Sequence, residues 1–90
     1  MAPIDVSSGG GDPRDHLLVA PDLGTTAAVS LWLVAEGAAV IEGDRVVELV
    51  AGGATVDIEA PVSGRLVRQW IDEDGIVSTG DLLATFHADE

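Results

Sequence analysis

The residues with recognisable chemistry are few: two histidines, His16 and His87, and one dense run of acids, Asp72-Glu73-Asp74. The chain has no cysteine, so it has no thiol nucleophile, thiolate metal ligand or disulfide. It has no lysine either. Its four basic residues are Arg14, Arg45, Arg65 and Arg68, so no side chain carries an amine that could be acylated. Two histidines without a thiolate fall short of the four protein ligands of a structural zinc site, and no metal site is expected. General acid–base catalysis needs carboxylates whose pKa values are driven apart in a cleft. Here the acids are spread along the chain, and the run at 72–74 reads as a solvated turn. No catalytic residue is expected, and the chain is read as a non-enzyme. Trp32 and Trp70 are read as packing residues whose indole N–H groups find partners at an edge.

The surroundings of these residues are set by composition. Ninety residues make one domain, and 47% of them are hydrophobic with one Phe, two Trp and no Tyr. Such a core must be built from Val, Leu, Ile and Ala, and it must be compact. The formal charge of −12 repels phosphate backbones and anionic lipid, which excludes nucleic-acid and membrane-surface partners. It keeps the chain soluble and can steer a basic protein partner. No apolar run is long enough to span a bilayer, and no basic region precedes an apolar core at the N-terminus. A cytoplasmic protein is expected.

Residues 1–15, with Ser7-Ser8-Gly9-Gly10-Gly11-Asp12-Pro13, read as a flexible Gly/Ser-rich tail or linker, and 16–88 as the folded domain. The rest is short apolar stretches broken by glycine: Leu17 to Ala20, Ala28 to Ala35, Val46 to Ala51, Thr55 to Ala60, Arg65 to Ile71 and Leu82 to His87. Val56 and Ile58 alternate with Asp57 and Glu59, the period of a half-buried strand. No stretch sustains a helical period, so the fold class is all-β. The chain also repeats itself. Setting Gly43-Asp44 on Gly80-Asp81, 37 positions apart, places Glu36 on Glu73, Val40 on Val77, Val46 on Leu83 and Leu49 on Phe86. Each half runs strand, acidic turn, short apolar pair, Gly-Asp turn, strand. Two similar halves packed face to face are expected.

Several segments, in order, resemble the lipoyl- and biotinyl-carrier domains, notably the lipoyl domain of 2-oxo-acid dehydrogenase acyltransferases. They are Pro21-Asp22-Leu23-Gly24, Trp32-Leu33-Val34-Ala35-Glu36-Gly37, Val40-Ile41-Glu42-Gly43-Asp44, Ala60-Pro61-Val62-Ser63-Gly64 and Gly80-Asp81-Leu82-Leu83-Ala84. The resemblance covers about residues 17 to 87. It implies a flattened β-barrel, a barrel-sandwich hybrid of two antiparallel sheets related by a pseudo-twofold axis. Ala54 to Gly64 resembles the strand that follows the modified lysine of that family. By the resemblance, the attachment position is Gly53, preceded by Val50-Ala51-Gly52, so no lipoyl or biotinyl cofactor is expected here. Gly-Gly is nonetheless a good hairpin turn, because both residues tolerate positive φ.

What the resemblance implies for function is a module that is not itself modified. Its expected role is protein–protein interaction in or beside a 2-oxo-acid dehydrogenase-type or related multienzyme system, with a complex component as partner. The expected contact surface is Asp22, Leu23 and Gly24 with Val50, Ala51, Gly52 and Gly53. The alternative is a degenerate carrier domain kept as a structural spacer or as an adaptor-type packing domain.

Overall fold

The apolar stretches form eight strands in a computed structural model of the protein, which describes residues 12–89. They are β1 (Asp15–Val19), β2 (Ala27–Trp32), β3 (Ala39–Val40), β4 (Arg45–Ala51), β5 (Ala54–Glu59), β6 (Gly64–Gln69), β7 (Ile76–Val77) and β8 (Leu82–Ala88). The described residues include no helix. The strands make two four-stranded sheets, ordered β1-β8-β6-β3 and β5-β4-β2-β7, with every pairing antiparallel. This is the all-β barrel-sandwich architecture. The expected tail at 1–15 lies, for residues 1–11, outside the described residues; Asp12, Pro13 and Arg14 lead directly into β1.

The 37-residue repeat governs the architecture. Shifting β2, β3 and β4 by 37 positions gives the bounds of β6, β7 and β8 residue for residue. The irregularity in the β2–β4 ladder between Val29 and Leu31 recurs in the β6–β8 ladder between Leu66 and Arg68. Each sheet therefore combines the two longer strands of one copy with the two-residue strand of the other, and β1 and β5 occupy equivalent edges. The core follows the same rule: Val29 and Leu66, Val40 and Val77, Val46 and Leu83, Leu49 and Phe86 are all buried between the sheets. Each such large side chain contributes about 1.5–3 kcal/mol by leaving water.

Two strands end earlier than their apolar runs predict. Ala28 to Ala35 yields a strand only to Trp32, and Arg65 to Ile71 one only to Gln69. At both ends one more ladder bond is made, Leu33 N–H to the Val46 carbonyl and Trp70 N–H to the Leu83 carbonyl, while the other edge of the strand turns to a carboxylate. The Trp32 backbone N–H donates to Glu73 Oε2 at 3.1 Å, and the Gln69 N–H donates to Glu36 Oε2 at 2.7 Å. Each strand end is capped by the acidic turn of the opposite half. The side chains repeat the exchange, with Trp32 Nε1 donating to the Ile71 carbonyl and Gln69 Nε2 to the Val34 carbonyl. Trp32 is thus the packing residue the sequence implied. The acidic turns also share a backbone conformation. Gly37 has φ +89° and its counterpart Asp74 has φ +71°, a left-handed value that a short polar side chain tolerates.

Gly64 is fixed by close approach. It pairs with Ala88, and a Cβ there would lie 2.1 Å from the His87 carbonyl oxygen. Because backbone cannot yield as a side-chain tip can, Gly64→Ala lowers stability by about 1–3 kcal/mol in chemical denaturation. Glu36→Ala and Glu73→Ala each cost about 1 kcal/mol through the orphaned N–H, and by similar amounts because the sites are equivalent. A large inequality between the two would show that the exchange is not reciprocal in solution.

Candidate functional site

β4 and β5 pair in register to their ends, Val50 with Thr55 and Ala51 with Ala54, leaving Gly52 and Gly53 as a two-residue loop. Their φ values are +58° and +85°. Positive φ at both central residues is the signature of a type I′ turn, whose twist matches that of the flanking strands. Both glycines are exposed at the tip. A Cβ at Gly53 would meet nothing within 4 Å, and one at Gly52 would sit 3.7 Å from Thr25 Cγ2. The turn therefore has room for side chains, and only its backbone conformation opposes them.

The loop joining β1 to β2 lies against this tip. Ala27 and Ala28 pair with Ala51 and Val50, which brings the preceding residues beside the turn. Asp22 Oδ1 accepts the Gly24 N–H at 2.9 Å and holds the loop in a tight bend, with Gly24 at φ +78°. Leu23 is half-buried and packs on the core, so it anchors the loop instead of presenting itself outward. Of the residues singled out by sequence, Asp22, Gly24, Gly52 and Gly53 are exposed at this end, while Leu23, Val50 and Ala51 are half-buried. The two segments are brought together.

A third segment joins them that the sequence did not single out. Ser78 and Thr79, after β7, close a cleft of about 370 Å³ with Asp22, Gly24, Thr25 and Thr26. Four hydroxyls and one carboxylate line it. Beside it, Ile76 opposes Ala28 and Ala28 opposes Val50 and is itself half-buried, so an uncharged stripe crosses the outer face of this sheet with Ile76 exposed at its edge. The signal was present in the repeat: Ser78 and Thr79 stand where the first half has Ile41 and Glu42. A larger open groove of about 650 Å³, lined by Trp32, Val34, Gln69, Asp72 and Glu73 among others, lies where the halves cross. Glu73, Gln69 and Trp32 are already committed there to the strand-capping bonds.

The two histidines do not meet. His16 opposes Phe86 and His87 opposes Asp15 on the β1–β8 ladder, so they occupy opposite faces of the sheet. His87 Nδ1 instead lies 2.9 Å from Asp15 Oδ1 and 3.8 Å from Asp12 Oδ2. These three groups lie close enough together to share a cation. The Asp12 carboxyl is held below its ordinary range, first by the backbone N–H of Arg14 and then by the Arg14 side chain and His87. Sequence reading missed this cluster because Asp12 precedes the first strand and only the β1–β8 register reveals its neighbour.

Residues 16–86 match the sequence profile of the family described as biotin-requiring enzyme, which covers biotinyl and lipoyl domains. Among solved structures, a single-chain, multi-domain long-chain acyl-CoA carboxylase contains a similar fold, with a TM-score of 0.76 and 28% identity. The match covers 88% of this chain and 8% of the carboxylase, so the chain is equivalent to one small part of that protein. No curated protein matches the chain.

The turn makes its own stability prediction. Gly52→Asn leaves stability unchanged or raises it by a few tenths of a kcal/mol, because Asn-Gly is the preferred type I′ pair. Gly53→Ala lowers it by about 1 kcal/mol through left-handed strain. Thermal melts of the two variants check the order, and a reversed order would mean that the turn is of another type.

Proposed function

The chain belongs to the biotinyl/lipoyl attachment-domain family, and from that premise we propose that it is a carrier-type module that is not itself acylated and acts by binding protein. The observation that carries this reading is the turn. The β4–β5 hairpin loop is Gly52-Gly53, the resemblance to the family puts the attachment lysine at Gly53, and the chain has no lysine at all. Neither lipoate nor biotin has an ε-amine with which to form its amide, so the residues present do not fit either group.

A fold maintained without its chemistry is explained by contacts the fold makes. The exposed tip, the Asp22–Gly24 bend and the hydroxyl-lined cleft form one continuous end of the molecule. That end carries two acids, Asp22 and Asp81, each tied to a backbone N–H of its own loop, Gly24 and Ser78. The proposed partner is a component of a multienzyme system, of the 2-oxo-acid dehydrogenase type or, given the fold shared with a domain of an acyl-CoA carboxylase, of the carboxylase type. The module is proposed to be non-enzymatic and cytoplasmic. No helix among the described residues is long and apolar enough to cross a membrane.

The test is covalent. Incubated with lipoate ligase or biotin ligase, ATP and the cognate cofactor, the protein keeps its intact mass, whereas Gly53→Lys gains one lipoyl or biotinyl group at residue 53. A stoichiometric gain on the unsubstituted chain, mapped to residues 50–54, overturns the reading. For the contact surface, Asp22→Arg combined with Gly52→Glu abolishes co-purification of the multienzyme component while the melting curve stays within a few degrees.

A further inference from the structure

The two sheets are built on one repeated frame, so places where equivalent positions differ in kind are places that folding does not dictate. The sharpest difference lies on the outer face of the β1-β8-β6-β3 sheet. Leu17, Thr85 and Arg68 form a row across β1, β8 and β6. The Arg68 guanidinium lies 4.3 Å from the centroid of the Trp70 ring, and Trp70 Nε1 donates to Thr85 Oγ1 at 2.9 Å. In the other sheet, Arg68, Trp70 and Thr85 correspond to Leu31, Leu33 and Glu48, and Glu48 opposes Asp57. One frame carries a stacked cation and indole, its counterpart a leucine pair beside acids.

The row is exposed and apolar at its rim. Leu17 is 62% exposed and Trp70 46%, with Val19 and Val67 also exposed. Trp70 is therefore not the packing residue the sequence implied; its indole N–H is satisfied by Thr85 while its ring faces outward. Among the described residues Arg68 makes no ion pair, in a chain with 16 acids and four arginines. Arg45, by contrast, is paired with Asp57 at 3.1 Å on the other sheet. The strands of the Trp70 sheet contain one acid, Asp15, already bonded to His87, and two arginines, Arg65 and Arg68. On this face the carboxylates of Asp15 and Asp12 gather at the His87 end, and the row of Leu17, Thr85 and Arg68 carries none.

We infer that this face docks a protein segment that presents carboxylates beside aliphatic side chains. Stacking on Trp70 engages the face of the guanidinium and leaves its N–H edge free to bind a carboxylate in bidentate fashion. Leu17, Val19 and Val67 offer the adjoining apolar area, and Trp and Arg are the residue types that dominate interface energetics. At physiological salt, screening over about 8 Å lets this local charge act despite the acidity elsewhere. The site is separate from the hairpin end and does not depend on the reading of that end.

The probe is the peptide acetyl-Glu-Leu-Asp-Leu-Glu-amide, titrated into ¹⁵N-labelled protein at about 0.15 M salt, with the all-lysine counterpart acetyl-Lys-Leu-Lys-Leu-Lys-amide as control. The acidic peptide shifts the amides of Leu17, Arg68 and Thr85 and the indole N–H of Trp70, and the lysine peptide does not. Arg68→Glu, an exposed change that leaves the melting curve in place, weakens the acidic peptide at least tenfold, and Arg68→Lys weakens it less. Absence of shifts on this face, or shifts indifferent to Arg68→Glu, overturns the inference. Sedimentation supplies a third arm: self-association removed by Arg68→Glu would assign the face to a second copy of the chain and overturn the acidic partner.

Discussion

The structure depends on a reciprocal loan of carboxylates between its two halves. Glu36 ends the strand of the second half and Glu73 ends that of the first, each accepting a backbone N–H that has no ladder partner. A backbone donor left unpaired beside a packed core is costly, so the two acidic turns must sit over each other's strand ends. That requirement ties each acidic turn to the strand end of the other half. The Asp44 and Asp81 turns work by the same local chemistry, accepting the N–H groups of Ile41 and Ser78. These bonds also divide the acidity of the chain. Part of it is structural and repeated, and the remainder is free to shape the surface.

Because one frame is used twice, the molecule holds its own control. Positions that agree across the axis, such as Leu49 with Phe86 or Glu36 with Glu73, answer to packing and backbone satisfaction. Positions that disagree answer to something else. The hairpin loop of Gly52 and Gly53, the hydroxyls at Ser78 and Thr79, and the Arg68–Trp70 stack all fall in the second group. Distinguishing the two groups needs no relatives, only the pseudo-twofold axis.

Much of this was legible in the residues. The offset from Gly43-Asp44 to Gly80-Asp81 gave the strand correspondence directly, because Gly-Asp turns are local chemistry and local chemistry is written in sequence. The core pairs followed from that alignment. The ends of β2 and β6 were not legible, since the apolar runs continue through Val34 and Ile71 and the carboxylates that take the Trp32 and Gln69 N–H groups come from the other half. The two-residue strands β3 and β7 were visible only as apolar pairs, too short for any period. At the hairpin, two adjacent glycines announced a turn. The third wall of its cleft comes from a segment more than 20 residues away and depends on the packing of the halves. Trp70 looked like Trp32 by type, and its outward ring is set by Thr85 across the ladder, which composition cannot show.

β1 and β8 stand to each other as β5 and β4 do, except that no turn joins them. The Ala88 N–H donates to the Arg14 carbonyl at 2.8 Å, so the chain enters and leaves the domain side by side. Topologically the fold is a closed ring of eight strands with one hairpin loop cut open. Its connectivity is then a convention of where the cut falls. A short linker from 88 to 14, with new ends between Gly52 and Gly53, describes the same three-dimensional object as a circular permutant. The folding order along the chain, but not the folded architecture, belongs to the particular place at which the ring is open.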